Sequence, residues 1–248
     1  MMRTFSGFAR VLPVLAVLAA PLVAEDLRVA VLISAKAEWR AVTPLFPAAS
    51  LQTSPYGQFF FTQVGRERVL FFQGGWGKVA AAGSTQYVID RFHPERLINL
   101  GTCGGVEGRV HRFDIVALER VVIYDIAEAM GDSKEAIDHY STNLPLPARL
   151  PGSAIRATMY SGDRDLTAAG LKEMDAQYRP VVADWESGAI AWVAHRNSIP
   201  VLILRGVTDL VSTEKAEAQG NLSLFEDNAA RVMRSLVDSL AEWLAAWR

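Results

Sequence analysis

The 248-residue chain is half hydrophobic and about a fifth charged, enough apolar side chains for one large domain or two small ones, which excludes disorder as its organising theme. Its 25 basic and 27 acidic residues form no basic run, which excludes a nucleic-acid or anionic-membrane partner. Cys103 is the only cysteine, so neither an internal disulfide nor a thiolate zinc cluster can form.

The N-terminal stretch reads as a secretory signal peptide. Arg3 and Arg10 precede the apolar run Val11–Val23, and Ala24 stands before the acidic pair Glu25-Asp26. The run is shorter than the roughly twenty residues that a membrane-spanning helix needs. Residues 1–24 are therefore assigned as the signal and 25–248 as a single domain, with a periplasmic or secreted destination and no membrane partner after cleavage. Without Arg3 and Arg10 the mature chain has 23 basic against 27 acidic residues, a net charge of −4.

Apolar strands and helical stretches then alternate. Leu27–Ser34 reads as a buried strand and Ala37–Phe46 as a helix. Phe59–Val64 and Glu67–Gln73 read as a hairpin around Gly65-Arg66. Lys78–Phe92 reads as a helix with Val79, Ala82, Tyr87, Val88 and Phe92 on its apolar side. Strands follow at Leu97–Leu100 and Phe113–Tyr124. The segment Asp125–Gly152, with Pro145, Pro147 and Pro151, has no stable period and reads as a long excursion. A strand at Ala154–Tyr160, a helix at Thr167–Tyr178, a short strand at Val181–Ala183, a helix at Gly188–Asn197 and a strand at Val201–Val207 follow. Leu222–Trp247 closes the chain as one amphipathic helix, with Val232, Leu236, Leu240 and Leu244 at fourfold spacing. Strands buried on both sides and separated by helices predict an α/β fold: a three-layer αβα sandwich around a mixed, mostly parallel twisted sheet. In such sheets the ligand lies at the carboxyl ends of the strands.

Four strand-to-loop junctions carry unusual residues. They are Ser34-Ala35-Lys36-Ala37-Glu38, Gly74-Gly75-Trp76-Gly77-Lys78, Asn99-Leu100-Gly101-Thr102-Cys103-Gly104-Gly105, and the pair Asp184-Trp185-Glu186 with Thr208-Asp209. Each alone has a plain explanation, since glycines after strands make turns and acids at helix starts make caps. Together, Glu38, Glu186 and Asp209 all follow strand ends, and a parallel sheet would gather them at one edge. Three convergent carboxyls without a basic cluster suit a positively charged transition state.

The ordered set comprises the early acid, GWGK, NLGTCGG, DIV at Asp114–Val116, SGD at Ser161–Asp163, WESGAIA and RGVTD. It resembles the nucleoside phosphorylase and nucleosidase superfamily, and within it the bacterial 5′-methylthioadenosine/S-adenosylhomocysteine nucleosidases, from Leu27 to about Leu244. The resemblance implies a hydrolase of N-glycosidic bonds in purine nucleosides. It implies that Glu38 positions and deprotonates the attacking water, and that Thr102, Cys103 and Gly104 form the small loop beside ribose and water. Trp185 would pack on the sugar in place of the family's Met, and Glu186 would bind the ribose hydroxyls. Asp209 would protonate the leaving base at N7, with Thr208 as its hydroxyl neighbour. It also implies a homodimer and no metal or organic cofactor; His93, His111, His139 and His195 never fall at ligand spacing.

The chain departs from this family at three places. Asp165 and Leu166 occupy the positions where an aromatic residue stacks on adenine and the next backbone reads the base. Tyr124-Asp125-Ile126 replaces a Tyr-His-Asp-like stretch, and residues 210–220 are longer and more charged. The other view of Asp165 is as a cap for the helix starting near Thr167. Two alternative functions stay open: a phosphorylase of the same fold, for which Arg40 and Arg205 are the available cations, and an exported nucleoside-binding protein without turnover. No G-x-S-x-G nucleophile elbow is present.

Overall fold

The computed structural model describes residues 27–247, so the assigned signal segment 1–24 lies outside the described residues. Ten strands and seven α-helices follow in chain order. They are β1 (Val29–Ile33), α1 (Lys36–Val42), β2 (Gln52–Thr53), β3 (Gln58–Val64), β4 (Glu67–Gln73), α2 (Gly77–Phe92), β5 (Arg96–Val106), β6 (Ile115–Ile123), α3 (Ser133–Tyr140), β7 (Thr142–Asn143), β8 (Ile155–Ser161), α4 (Ala168–Gln177), β9 (Val182–Asp184), α5 (Ser187–Arg196), β10 (Val201–Val211), α6 (Leu222–Asp238) and α7 (Leu240–Ala246).

All ten strands join one mixed sheet. The long ladders β4–β1–β5–β10 and β6–β8–β9 are parallel, while antiparallel pairing joins the edge hairpin β3–β4 and the short contacts β10–β6 and β5–β9. Alternate residues of β1 face opposite layers, as the two-residue period of a strand requires. Ala30 and Leu32 join the core shared with α2 and α5, whereas Val29, Val31 and Ile33 join the core shared with α1, α6 and α7. The expected three-layer α/β sandwich is therefore the observed one. Each fully buried Leu, Ile or Phe of these two cores contributes roughly 1.5–3 kcal/mol.

The sheet forks along β5. The first half of this eleven-residue strand borders β1 as far as Asn99, and its far end borders β9 at Gly104-Gly105. Its other edge pairs with β10 from Leu97 to Val106. Strands β5, β10, β6, β8 and β9 thus close into a ring, and a gap in the sheet opens beside Gly101–Cys103.

Several sequence expectations need correction. The strand expected to stop at Leu100 runs on to Val106, because the small residues 101–105 pair with β10, and Gly104-Gly105 also with β9, instead of forming a loop. In α2 the buried face is Ala81, Ser84, Thr85, Val88 and Ile89, and Val79 is 86% exposed. The excursion 125–152 contains α3, capped by the Asp132 carboxylate accepting from the Lys134 amide. Only Ile137 of that helix is buried, too little to show a period. The last helix breaks at Ser239, whose hydroxyl donates back to the Ser235 carbonyl and ends the ladder of α6.

Candidate active site

The gap beside β5 is where the unusual residues meet. Glu38 sits in the first turn of α1, immediately past β1, and is 4% exposed. Its Oε2 accepts from the Ala35 amide at 3.0 Å, half of a capping box. Its Oε1 accepts from the Thr102 amide at 2.6 Å and the Thr102 hydroxyl at 2.8 Å. That amide faces the stretch where β1 has ended and β9 has not begun, so a side chain takes the place of a strand partner. Gly101 has to be glycine: a Cβ there would collide with Arg205 Nη1 and lie 3.0 Å from Glu38 Oε1.

Arg205 was not among the predicted site residues, apart from its mention as a possible phosphate ligand. It is 1% exposed and pairs through Nε with Asp184 Oδ2 at 2.9 Å, while Nη2 donates to Asn99 Oδ1 at 2.7 Å. An arginine inside the apolar run of β10 was the available signal, because a buried charge requires a partner. Among the described residues Arg205 Nη1 and Asp184 Oδ1 are buried without a hydrogen bond. Arg40, the other candidate phosphate ligand, is on the surface and paired with Glu226 at 2.6 Å.

Glu186 is the residue before α5, but it does not cap that helix; Asp184 does, accepting from the Ser187 amide and hydroxyl. The Glu186 carboxyl instead reaches across the gap, where Oε1 accepts from the Gly77 amide at 3.0 Å. Burial, and then the neighbouring Asp184 and Glu38, push its pKa up to about 8 against the opposing pull of Gly77 and Arg205. In the free protein at neutral pH it is mainly protonated, which eases repulsion among three carboxyls that share one guanidinium.

Asp209 lies beyond a β-bulge. Val207 pairs with Cys103 and Asp209 with Gly104, so Thr208 is the extra residue, and the bulge turns Asp209 toward the gap. Asn228 of α6 holds the bulge by donating to the Thr208 carbonyl at 2.7 Å. A Cβ on Gly104 would lie 3.8 Å from Asp209 Oδ2. Burial raises the Asp209 pKa; the Thr208 hydroxyl, donating at 2.7 Å, opposes this, while Glu217 and Asp165 push further upward. The structure thus brings together Glu38, Thr102, Gly104, Glu186, Thr208 and Asp209.

Cys103 points the other way. Its thiol sits 3.7 Å from the Gly206 carbonyl inside the α2/α5 core, and burial holds its pKa well above the usual thiol value. Trp185 is half-buried and stacked on Trp76, a partner not foreseen from the sequence. The loop between β8 and α4 places Leu166 against Val106 and Val211 at the ends of β5 and β10. Asp165 beside it is exposed and makes no hydrogen bond or ion pair among the described residues. The idea that Asp165 caps α4 is corrected: Thr167 is the cap, its hydroxyl accepting from the Gly170 amide at 3.1 Å.

A clasp ties the surrounding loops together. Lys78 Nζ meets Asp125 Oδ1 at 2.5 Å, the Lys78 amide donates to Asp163 Oδ1 at 2.8 Å, and the Asp163 amide donates to Asp125 Oδ2 at 2.9 Å.

A three-layer α/β sandwich with carboxyls converging on a gap at its strand ends defines the class. The profile of the Phosphorylase superfamily matches residues 27–182, and the chain belongs to that superfamily. A 5′-methylthioadenosine/S-adenosylhomocysteine nucleosidase from Halalkalibacterium halodurans is 26% identical over 198 residues, covering 74% of this chain and 86% of that one. Two solved structures share the fold. The apo 5′-methylthioadenosine nucleosidase of Arabidopsis thaliana has a TM-score of 0.73 at 21% identity, over 90% of this chain and 98% of that one. The 5′-methylthioadenosine/S-adenosylhomocysteine nucleosidase of S. pneumoniae, solved with a transition-state inhibitor, has a TM-score of 0.72 at 17% identity, over 89% and 100% of the two chains.

Proposed function

We propose that the chain is an N-ribosyl hydrolase that cleaves the N-glycosidic bond of a purine nucleoside of the 5′-methylthioadenosine/S-adenosylhomocysteine type. The observation that carries this reading is the meeting of Glu38, Glu186 and Asp209 at one gap in the sheet, with the nearby cations Arg205 and Arg40 already paired. The names of the relatives support it independently.

Breaking the C1′–N9 bond leaves the sugar cation-like and the base anionic, so catalysis needs negative charge at the sugar and a proton at the base. Glu38 Oε2 accepts a single amide and keeps acceptor capacity for a water proton. Water attacks C1′, its proton passes to Glu38, and the bonding pair leaves with the base. Asp209 donates to N7 of the departing purine; its raised pKa keeps it protonated further toward neutral pH than an ordinary Asp. A placed general acid of this kind contributes ~10²–10⁴-fold. Glu186 accepts from the ribose hydroxyls, and those donors favour its ionised form, so charge appears there as substrate binds. Asp165 and Leu166 face the base from the loop above β5 and β10.

The test is incubation of the protein with a panel of purine nucleosides, with and without phosphate. Free base and free sugar at a phosphate-independent rate are expected. Sugar 1-phosphate at a rate proportional to phosphate would assign a phosphorylase instead, and tight binding without turnover would assign a binding protein.

Export of the mature chain and its assembly as a homodimer belong to the same proposal. N-terminal sequencing of protein from the native host should begin at Glu25, and recovery of a chain retaining Met1 would refute export. Sedimentation should give twice the mass of one chain.

A further inference from the structure

Past Gly206 strand β10 no longer has β6 as a neighbour, and the chain closes the vacated edge on itself. The Ser212 hydroxyl accepts from the Glu214 and Lys215 amides in a turn that returns Ala216 alongside Val211 and Glu217 alongside Leu210. The Leu210 carbonyl accepts from the Glu217 amide at 3.1 Å, and the Leu210 amide donates to Glu217 Oε2 at 2.9 Å. In a regular antiparallel ladder that amide would meet a backbone carbonyl. Here a carboxylate takes it, a stronger acceptor. Glu217 belongs to the stretch 210–220, whose length and charge depart from the family's pattern.

Leu210 follows Asp209, so this bond fixes the peptide on one side of the general acid. Asn228 fixes the other side by donating to the Thr208 carbonyl at 2.7 Å. The bulge leaves Thr208 without a partner in β5, so side chains help to set the angle at which Asp209 leaves the strand. A carboxylate is more than such a clip needs, since an amide oxygen would accept as well. The charged groups that face Asp209 are Glu217 and, from the loop between β8 and α4, Asp165. Burial favours the protonated form of Asp209 most, the Thr208 hydroxyl opposes it, and both acids add to it. Arg112, in the loop between β5 and β6, lies 3.5 Å from Glu217 Oε2 and offsets part of its charge. The neighbours from α6 and β5, Asn228 and Gly104, carry no charge.

We propose that Glu217 is a positioning residue for the general acid: its carboxylate fixes the peptide that follows Asp209 and keeps a negative charge near the carboxyl that must deliver the proton. This rests on the nucleosidase reading above and deepens it, by adding to the proton-donating end of the site a residue that touches no substrate. A clip of purely structural use would support the strand equally at every pH.

The experiment records kcat for 5′-methylthioadenosine against pH in the full chain, in Glu217→Gln and in Glu217→Ala. Gln keeps an oxygen for the Leu210 amide but removes the charge and leaves Arg112 unpaired. On the alkaline side, where kcat falls as the general acid loses its proton, Glu217→Gln should be about threefold or more slower than the full chain. On the plateau at lower pH the two should agree within about twofold, with KM unchanged. Glu217→Ala also frees the peptide and should lose roughly a further fivefold in kcat at every pH. Alkaline limbs that coincide in the full chain and Glu217→Gln would overturn the proposal, as would a loss in Glu217→Ala no larger than in Glu217→Gln. Should Glu217→Ala fail to fold, judged by circular dichroism, Glu217→Gln alone decides. If the unaltered chain hydrolyses no purine nucleoside, the assigned reaction fails separately. The carboxyl ¹³C resonance of Asp209, identified by its absence in Asp209→Asn, then decides: its titration should move to lower pH in Glu217→Gln, and an unmoved titration overturns the proposal.

Discussion

At what the proposed function makes the sugar end of the site, Glu38, Asp184 and Glu186 are 4%, 7% and 8% exposed, and each is held by backbone amides, a hydroxyl or the Arg205 guanidinium. At the base end Asp209 is only partly buried, and Asp165 stands in solvent on a loop. The first group hangs on the ends of β1 and β9, the two strands that border the gap beside β5. The second depends on one bulge and one loop. On the proposed reading, a site divided in this way fixes its reaction through the sheet and leaves its choice of base to parts that can change without disturbing the core. Asp165 and residues 210–220, which depart from the family's pattern, lie with the second group, whereas Asp125 is tied to Lys78 beside Gly77 and Trp185 adjoins Glu186 in the first.

The comparison can be broken most directly at Glu38. Glu38→Gln keeps acceptors for the Thr102 donors through its amide oxygen but removes the base for water. Its kcat should fall by about 10³-fold or more, with or without phosphate. Retention of phosphate-independent activity would show that the sugar end does not activate the nucleophile. Asp209→Asn should lower kcat by roughly 10²-fold or more while substrate binding weakens far less. A nearly unchanged kcat on a purine substrate would reduce Asp209 to a structural residue of the bulge.

A third prediction concerns pH. The Glu186 carboxyl titrates at about 8 in the folded chain and near its ordinary value of 4.5 when unfolded. Between those values the unfolded chain releases the proton that the folded one keeps, so stability falls as pH rises from about 4.5 to about 8. Denaturant unfolding at pH 5 and pH 7 should show a loss on the order of 2 kcal/mol from this group. The slope should flatten in Glu186→Gln; an identical slope in that variant would show that the sugar end is not the source.

The smallest effect sharpens the base end. Thr167→Ala should lower stability by about 1 kcal/mol, as loss of a helix cap does. Asp165→Phe should leave stability unchanged and shift preference toward 5′-methylthioadenosine. An unchanged order of substrates would remove Asp165 from the site, and a stability loss matching Thr167→Ala would restore it as a cap.

Much of this was legible in the chain itself. Continuous apolar runs such as Val29–Ile33 and Val201–Leu204 announce strands buried on both faces, and Gly65-Arg66 between two apolar segments announces a hairpin. Glu38, Glu186 and Asp209 could be singled out because each follows an expected strand end; Glu38 and Glu186 do, but β10 runs on to Val211 and contains Asp209, past its bulge. Their convergence could not be read locally. It depends on β5 leaving β1 for β9, a change of neighbour between residues separated by more than sixty positions. The Trp76–Trp185 stack joins residues 109 positions apart, and the Arg205–Asp184 pair spans 21. Val79 shows the limit within one helix: its spacing fitted the apolar stripe, but the packing of α2 on α5 turned Ala81, Thr85 and Val88 inward and left Val79 in solvent. Hydrophobic period and turn chemistry are local and act through near neighbours, so the sequence by itself determined the elements and most of their order. Which strand edge stays open, which acid meets which amide and which buried charge finds a partner are contacts between distant segments. Only the closed sheet could decide those.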